Sequence, residues 1–135
     1  MILVDTNVLI DLLGDDPIWA EWSRLQLNVL ETTDTLVINE VVYAELSPGF
    51  RRRQDVDAFI DRTRLALAQT PRPALFIAGK MFQQYRRAGG PRTGVLPDFF
   101  IGAHAMVTSA RLLTRDPRRY RVYFPGLALI TPNVN

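Results

Sequence analysis

The sequence predicts an α/β fold in which helices cover both faces of a mostly parallel sheet. Short apolar runs, typical of buried strands, alternate along the chain with longer segments in which apolar residues recur at helical spacing. This order favours parallel strands joined by right-handed crossovers. At 135 residues the chain is long enough for one hydrophobic core, so residues 1–135 are expected to form a single domain.

The first half of the chain is predicted to contain two strands and four helical segments. The strands are residues 2–4 and 36–38, and the helical segments include residues 8–13, 18–29, 40–46 and 56–67. Asp5, Thr6 and Asn7 precede the first helix, and Asn39 precedes the third. These residue types are preferred at helix N-termini because their side chains accept hydrogen bonds from free backbone N–H groups.

The second half is predicted to contain two helices followed by three short strands. The helices are residues 74–87 and 97–109, and the strands are residues 112–114, 121–123 and 127–130. In open parallel sheets, ligands bind beyond the carboxyl ends of the strands. Asp5 and Asp116 both follow predicted strands, so both are candidates for that edge of the sheet.

Charged residues are unevenly distributed along the chain. Residues 62–135 contain twelve basic residues but only two acidic ones, Asp98 and Asp116, whereas residues 1–61 contain twelve acidic and four basic residues. Each of the two isolated acids lies where a predicted element begins or ends, which favours a chemical role for both. The net charge of +2 is compatible with a nucleic-acid partner, although it is only weak evidence for one.

Composition excludes several classes of site. The chain has no cysteine, which excludes disulfides, thiolate nucleophiles, iron–sulfur clusters and thiolate zinc sites, and its single histidine excludes multi-histidine metal sites. That histidine, His104, follows Asp98 by six residues, roughly 240° around a helix, so we expect it to pack in the core. Without a membrane-length apolar run or signal-peptide features, a cytoplasmic protein is expected, with no membrane partner.

A fourth acid, Glu45, is also a candidate for the site. It follows two valines by three and four residues, on the face of its helix that must pack inward, where a carboxylate is costly unless it meets a cation. Glu40, by contrast, lies in the first helical turn, where the helix dipole suffices to explain it. Asp98 has the alternative of a helix-terminal role, and Asp116 that of a turn residue.

Taken together, Asp5, Glu45, Asp98 and Asp116 could form a cluster of carboxylates without histidine or cysteine. Hard carboxylate oxygens suit Mg²⁺ or Mn²⁺. Repulsion among four anions raises some of their pKa values unless cations bind, so metal binding should stabilise such a site.

Four motifs in order resemble those of PIN-domain ribonucleases, specifically the VapC-type toxins of toxin–antitoxin pairs. They are Val4-Asp5-Thr6-Asn7, Tyr43-Ala44-Glu45-Leu46, Leu96-Pro97-Asp98-Phe99-Phe100-Ile101-Gly102-Ala103-His104-Ala105 and Leu113-Thr114-Arg115-Asp116-Pro117. The resemblance implies a three-layer α/β/α fold. It also implies an endoribonuclease in which one or two Mg²⁺ or Mn²⁺ ions drive hydrolysis of RNA phosphodiesters by water. The acidic metal-site residues would be Asp5, Glu45, Asp98 and Asp116, with Thr114 supporting them and Asn7 assisting.

The same resemblance implies protein partners. A cognate antitoxin segment would pack across the early helices and direct a basic side chain toward the acids, and the toxin would form a homodimer. Trp19 and Trp22 lie on an early helix, where they either belong to the core or line a groove. Arg92 and Arg115 are candidate phosphate contacts, with simple solvation as the alternative for each.

Three other readings compete with this one. A phosphotransfer receiver domain needs a partner lysine, but the only lysine, Lys80, lies within a predicted helix. A haloacid-dehalogenase-type phosphatase needs an aspartate where this chain has Asn7. A catalytically inert PIN-like RNA-binding module is the remaining alternative, although such a module gains nothing from anions in its cleft.

Overall fold

A computed structural model describes residues 1–91 and 95–132 of the chain and contains a five-stranded parallel sheet. The strands are β1 (Ile2–Val4), β2 (Leu36–Ile38), β3 (Ala66–Leu67), β4 (Arg111–Leu113) and β5 (Leu129–Ile130), in the spatial order β3-β2-β1-β4-β5. The helices are α1 (Thr6–Leu13), α2 (Ala20–Leu30), α3 (Glu40–Leu46), α4 (Arg53–Arg62), α5 (Arg72–Arg87), α6 (Leu96–Val107) and α7 (Arg118–Tyr123). A short 3₁₀ turn, Ser47–Gly49, follows α3. The predicted three-layer α/β/α class is confirmed.

The central strand β1 sets the position of the site. Its three residues are completely buried between β2 and β4, as expected for the middle of a sheet with helices on both faces. Val4 pairs with Leu113 in the parallel strands β1 and β4. Asp5 and Thr114, which follow these two residues, therefore lie side by side at the carboxyl edge of the sheet. The backbone N–H of Asp5 donates to the carbonyl of Leu113 at 2.9 Å, which continues the sheet to this edge.

Two predicted elements were wrong. Residues 121–123, predicted as a strand, belong to helix α7, which buries the ring of Tyr120 against the core. The predicted helical segment 56–67 ends earlier, because Arg64 adopts a left-handed backbone conformation (φ 57°) and turns the chain into β3. Leu67 therefore pairs with Ile38 of β2.

The predicted packing role of His104 is confirmed, because only 2% of the residue is exposed. Its Nδ1 lies 3.2 Å from the Asn39 side-chain nitrogen. Asn39 Oδ1 accepts from the N–H groups of Val41 and Val42, so its amide nitrogen is the donor and Nδ1 of the histidine the acceptor. Burial lowers the pKa of His104 below its ordinary value and favours the neutral ring.

Helix α6 approaches α7 closely at Gly102. A methyl group at this position would lie 2.5 Å from the ring of Phe124, which is itself buried. The small residue thus makes room for an aromatic ring at the end of α7. Within the part of the chain that the structure describes, no helix has both the length and the apolar character needed to cross a bilayer.

Candidate active site

The carboxylate of Asp5 forms the floor of the candidate site and is buried, with 3% of the residue exposed. Its Oδ2 accepts hydrogen bonds from Thr114 Oγ1 at 2.8 Å, from the Tyr120 hydroxyl at 2.9 Å and from Asn7 Nδ2 at 3.3 Å. These donors are neutral, and no ion pair reaches Asp5 from any residue described. Burial therefore dominates and raises the pKa of Asp5 to about 7, with the nearby charge of Asp98 acting in the same direction.

Thr114 and Asn7 join the end of β1 to the loop after β4. The Thr114 hydroxyl donates to Asp5 and accepts from Asn7 Nδ2 at 3.3 Å and from the backbone N–H of Asp116 at 3.1 Å. Asn7 Oδ1 accepts from the backbone N–H of Arg115 at 3.1 Å. One donor and two acceptor sites of the hydroxyl are thus all used, which fixes the loop that carries Asp116.

Asp98 lies in the first turn of α6 and forms an ion pair with Arg119 of α7. Within the described residues, Arg119 donates a hydrogen bond to the Asp98 carboxylate. The backbone N–H groups at the start of α6 do not, so Asp98 is not a helix cap there. Burial raises the pKa of Asp98, Arg119 opposes the shift, and the charges of Glu45 and Asp116 add to it. Asp98 is therefore an acid held near other acids, with a guanidinium as its counter-ion.

Asp116 forms a two-point ion pair with Arg118, whose Nε and Nη2 lie 2.9 and 3.0 Å from the two carboxylate oxygens. This guanidinium holds the pKa of Asp116 below its ordinary value. The Arg118 side chain is largely exposed, so the pair lies at the mouth of the site.

Glu45 lies at the side of the site. It is half-buried on α3, and its Oε1 accepts from Thr6 Oγ1 at 2.7 Å. Its charge reaches Asp98, since it contributes to the raised pKa of that acid. However, Glu45 faces an apolar groove between α3 and α6 that Pro97 and Phe100 also line, rather than the cleft above Asp5.

A cleft of about 470 Å³ opens above Asp5 and gathers most of the predicted acids. It is lined by Asp5, Asn7, Asp98, Asp116, Arg118, Arg119, Tyr120, Val122 and Tyr123. As the side chains stand in residues 1–91 and 95–132, no three carboxylate or histidine side chains are close enough to share one metal ion.

The donor chemistry of the cleft fits a divalent cation. Its acids provide hard carboxylate oxygens, which suit Mg²⁺ or Mn²⁺. In residues 1–91 and 95–132 the side-chain donors to Asp5 are neutral, so a cation beside it would relieve the cost of its burial. The three side-chain donors all bond to Oδ2 of Asp5, which leaves Oδ1 free of side-chain donors. To hold one ion together, Asp5, Asp98 and Asp116 would have to come closer than they stand here, with Asp98 and Asp116 turning from their arginine partners and Glu45 at one side.

Sequence analysis did not identify three side chains that line the cleft, Arg118, Arg119 and Tyr120. They follow Asp116-Pro117 directly. Two arginines so close to a candidate acid could have been predicted to pair with the acids of the site. Of the two arginines that were predicted as phosphate contacts, Arg92 lies outside the described residues. Arg115 pairs instead with the buried Asp11 and lines a second cleft beside the first.

Comparisons with known proteins identify the fold. The chain superposes on a chain of VapBC2 from Rickettsia felis bound to a promoter DNA fragment, with 23% identity, coverage of 97% and 98% of the two chains, and a TM-score of 0.73. DNA-bound VapBC from Salmonella typhimurium matches at 22% identity, 96% coverage of both chains and a TM-score of 0.69. VapBC-1 from nontypeable Haemophilus influenzae matches at 21% identity, 97% and 98% coverage, and a TM-score of 0.68.

Two comparisons of the sequence bear on the family of the chain. A search of curated proteins finds no significant match. The family profile described as the PIN domain matches residues 2–125, which include all four predicted acids. The chain therefore belongs to the PIN-domain family.

Proposed function

We propose that this protein is a metal-dependent endoribonuclease that acts as the toxin of a toxin–antitoxin pair. One observation carries the proposal: among the described residues no cationic side chain pairs with the buried carboxylate of Asp5, while Asp98 and Asp116 line the same cleft. A buried acid near other acids destabilises the folded protein unless a cation binds beside it, so this arrangement favours a cation-binding role. PIN-domain membership and the fold shared with chains of VapBC complexes also support the proposal.

The chemistry follows from the residues of the cleft. A bound Mg²⁺ or Mn²⁺ would polarise the scissile phosphate and lower the pKa of an attacking water. Tyr120, Thr114 and Asn7 fix the orientation of the Asp5 carboxylate through Oδ2, which leaves Oδ1 for the ion. Arg119, which neutralises Asp98 in this structure, is well placed to turn to a phosphate once a cation takes over that role.

The partners follow from the same proposal. RNA is the substrate, and an antitoxin would cover apolar side chains that α1, α2 and the turn between them expose to solvent, among them Ile10, Leu13, Ile18, Leu25 and Val29. Exposed apolar groups of this number favour a protein interface. We also propose a homodimer, which sizing chromatography with light scattering tests directly. Co-expression with a cognate antitoxin should suppress cleavage, and persistent cleavage would contradict the pairing.

The test of the activity is cleavage of a mixed RNA pool by the wild type and by Asp98→Asn, with Mg²⁺ or Mn²⁺ and with EDTA. The substitution nearly preserves the shape of the side chain but removes a negative charge from the cleft. We expect metal-dependent cleavage by the wild type only. Asp61→Asn, which removes the same charge from an exposed position on α4, is the matched control and should cleave normally.

The inert RNA-binding module remains the competing function, and the same experiment separates the two. RNA binding without cleavage by the wild type, in the presence of either metal, would favour the inert module. Cleavage that survives both EDTA and Asp98→Asn would contradict a carboxylate metal site altogether.

A further inference from the structure

We propose that a second cleft, adjoining the acidic one, binds a nucleobase next to the scissile phosphate, with Trp19 as its stacking ring. This inference rests on the proposed ribonuclease function and adds a residue that binds the substrate beside the cleavage site. The cleft measures about 500 Å³ and is lined by Trp19, Arg115, Asp116, Pro117, Arg118, Arg121, Thr131 and Pro132.

The two clefts lie next to each other. Asp116 and Arg118 line both of them, so an RNA strand whose phosphate lies above Asp5 would pass its neighbouring nucleotide into the second cleft. A volume of about 500 Å³ accommodates one nucleoside. Because the clefts share these two residues, the base bound in the second cleft would belong to the nucleotide next to the scissile phosphate.

Trp19 is held in place before any ligand arrives. Its backbone N–H donates to Asp16 Oδ1 at 2.8 Å, and the ring of Trp22 meets it edge-on with the centroids 6.4 Å apart. The Arg115 guanidinium lies over the Trp19 ring, 5.8 Å from its centroid. A half-buried indole that is already ordered loses little conformational freedom when a base stacks on it.

The guanidinium beside Trp19 is also fixed. Arg115 pairs with Asp11, a carboxylate that is 6% exposed, with Nη2 lying 3.2 Å from Oδ1. Its backbone N–H is held by Asn7, so the same residue joins the second cleft to the acidic one. The cleft therefore presents an aromatic ring with a planar cation over it, and both groups are suited to the face of a nucleobase.

The charges of the cleft favour a nucleic acid as the occupant. Arg115 is neutralised by Asp11, and Arg118 by Asp116. Arg121 is exposed and makes no ion pair with the part of the chain that the structure describes. One unneutralised guanidinium beside an aromatic ring matches a nucleotide, whose base stacks while its phosphate accepts.

The consequence concerns selectivity. Carboxylates and a metal ion recognise phosphate, which is common to all RNA, so they carry no sequence information. A stacking site is open only to unpaired bases, because a base within a duplex is already stacked on its neighbours. The second cleft thus restricts cleavage to single-stranded segments.

The test measures binding without cleavage. A fluorescein-labelled single-stranded RNA of mixed sequence is titrated in EDTA with the Asp98→Asn protein, and binding is followed by anisotropy. In the Asp98→Asn protein, the additional substitution Trp19→Leu should weaken RNA binding about ten- to a hundredfold, as expected when one base loses its stacking partner. Adding Arg121→Gln should weaken it less and reduce its salt dependence, whereas Arg62→Gln on the exposed surface of α4 is the matched control.

The two tryptophans provide a second readout that does not depend on a destabilising substitution. In Trp22→Phe, Trp19 is the only tryptophan, and unlabelled RNA should quench its emission. In Trp19→Phe, Trp22 is the only tryptophan, and its emission should change little. Quenching of Trp22 alone, or no quenching of either, would overturn the proposal.

The outcomes separate this inference from the proposed function. Unchanged RNA affinity in Trp19→Leu, together with metal-dependent cleavage by the wild type, would refute the base site and leave the ribonuclease intact. Trp19 quenching by RNA without any cleavage would support the base site and refute the enzyme. Emission from Trp19 that responds to the antitoxin but not to RNA would assign the cleft to a protein and overturn the proposal.

Discussion

The buried carboxylate of Asp5 should make the metal-free protein less stable as the pH rises, and Asp5→Asn should remove that dependence. The pKa of Asp5 is about 7 in the folded chain, against an ordinary value of 3.8. Between these values the folded state holds a proton that the unfolded state has released. Stability is therefore lost as the pH rises from 3.8 toward 7, and the loss is complete above 7.

The magnitude follows from the shift. Each pH unit inside this window changes the free energy of unfolding by about 1.4 kcal/mol for one group. Asparagine does not titrate, and its side-chain oxygen can still accept from Thr114 and Tyr120. The stability of Asp5→Asn relative to the wild type should thus increase by about 2 to 3 kcal/mol between about pH 5 and about pH 8.

The assay is urea unfolding of both proteins in EDTA across this pH range, with the difference in unfolding free energy as the readout. Titrations of groups that do not interact with Asp5 cancel in that difference, whereas Asp98, which is coupled to Asp5, contributes a smaller change of its own. Asp61→Asn, on the exposed face of α4, should show a difference that hardly varies over the same range. Millimolar Mn²⁺ should narrow the gap between Asp5→Asn and the wild type at high pH, because the ion stabilises the ionised carboxylate. A gap independent of pH in EDTA would refute the assignment of Asp5 as an uncompensated buried acid.

Other predictions concern the helix that carries Asp98. Burial lowers the pKa of His104 below 6.5, so the wild type should lose stability as the pH falls through that value, and His104→Asn should lose less in urea unfolding at matched pH. Gly102→Ala should destabilise the protein by about 1 to 3 kcal/mol, because the new methyl group meets the buried ring of Phe124. Gly79→Ala in α5 meets open space and should stabilise it by up to about 1 kcal/mol. Equal unfolding midpoints for the two glycine variants would contradict the contact with Phe124.

The sheet edge and its polar residues could be predicted from the sequence because both depend on local patterns. An apolar run followed by a helix-capping residue fixes where a strand ends, and parallel strands end at one edge. Asp5 and Asn39 follow β1 and β2 in this way, whereas Thr114, predicted as the last residue of its strand, lies one residue beyond β4. The register between β1 and β4 then places Asp5 beside Thr114 without further information.

The residues that were missed depend on packing between distant elements. Helix α7 has six residues, too few for a helical period to be distinguished from a strand, so Tyr120 could not be assigned to a buried face. The ion pair of Arg119 with Asp98 requires α6 and α7 to pack together, which no local pattern specifies. Glu45 shows the same limit. Helical spacing predicts which face of α3 carries Glu45, but it does not predict how far that side chain lies from the cleft above Asp5.

The site combines groups that oppose folding with groups that hold them in place. Burying Asp5 near Asp98 is unfavourable, and an apolar pair of similar size would give a more stable protein without a cation site. Tyr120, Thr114 and Asn7 offset part of this cost through neutral hydrogen bonds, which orient Asp5 without neutralising it. Had the counter-ion of Asp5 been an arginine, the charge that attracts a divalent cation would already be cancelled. Asp5 is bound by neutral donors, whereas partly exposed arginines pair with Asp98 and Asp116. This arrangement leaves the uncompensated negative charge at Asp5, deepest in the cleft, where the proposed metal ion would bind.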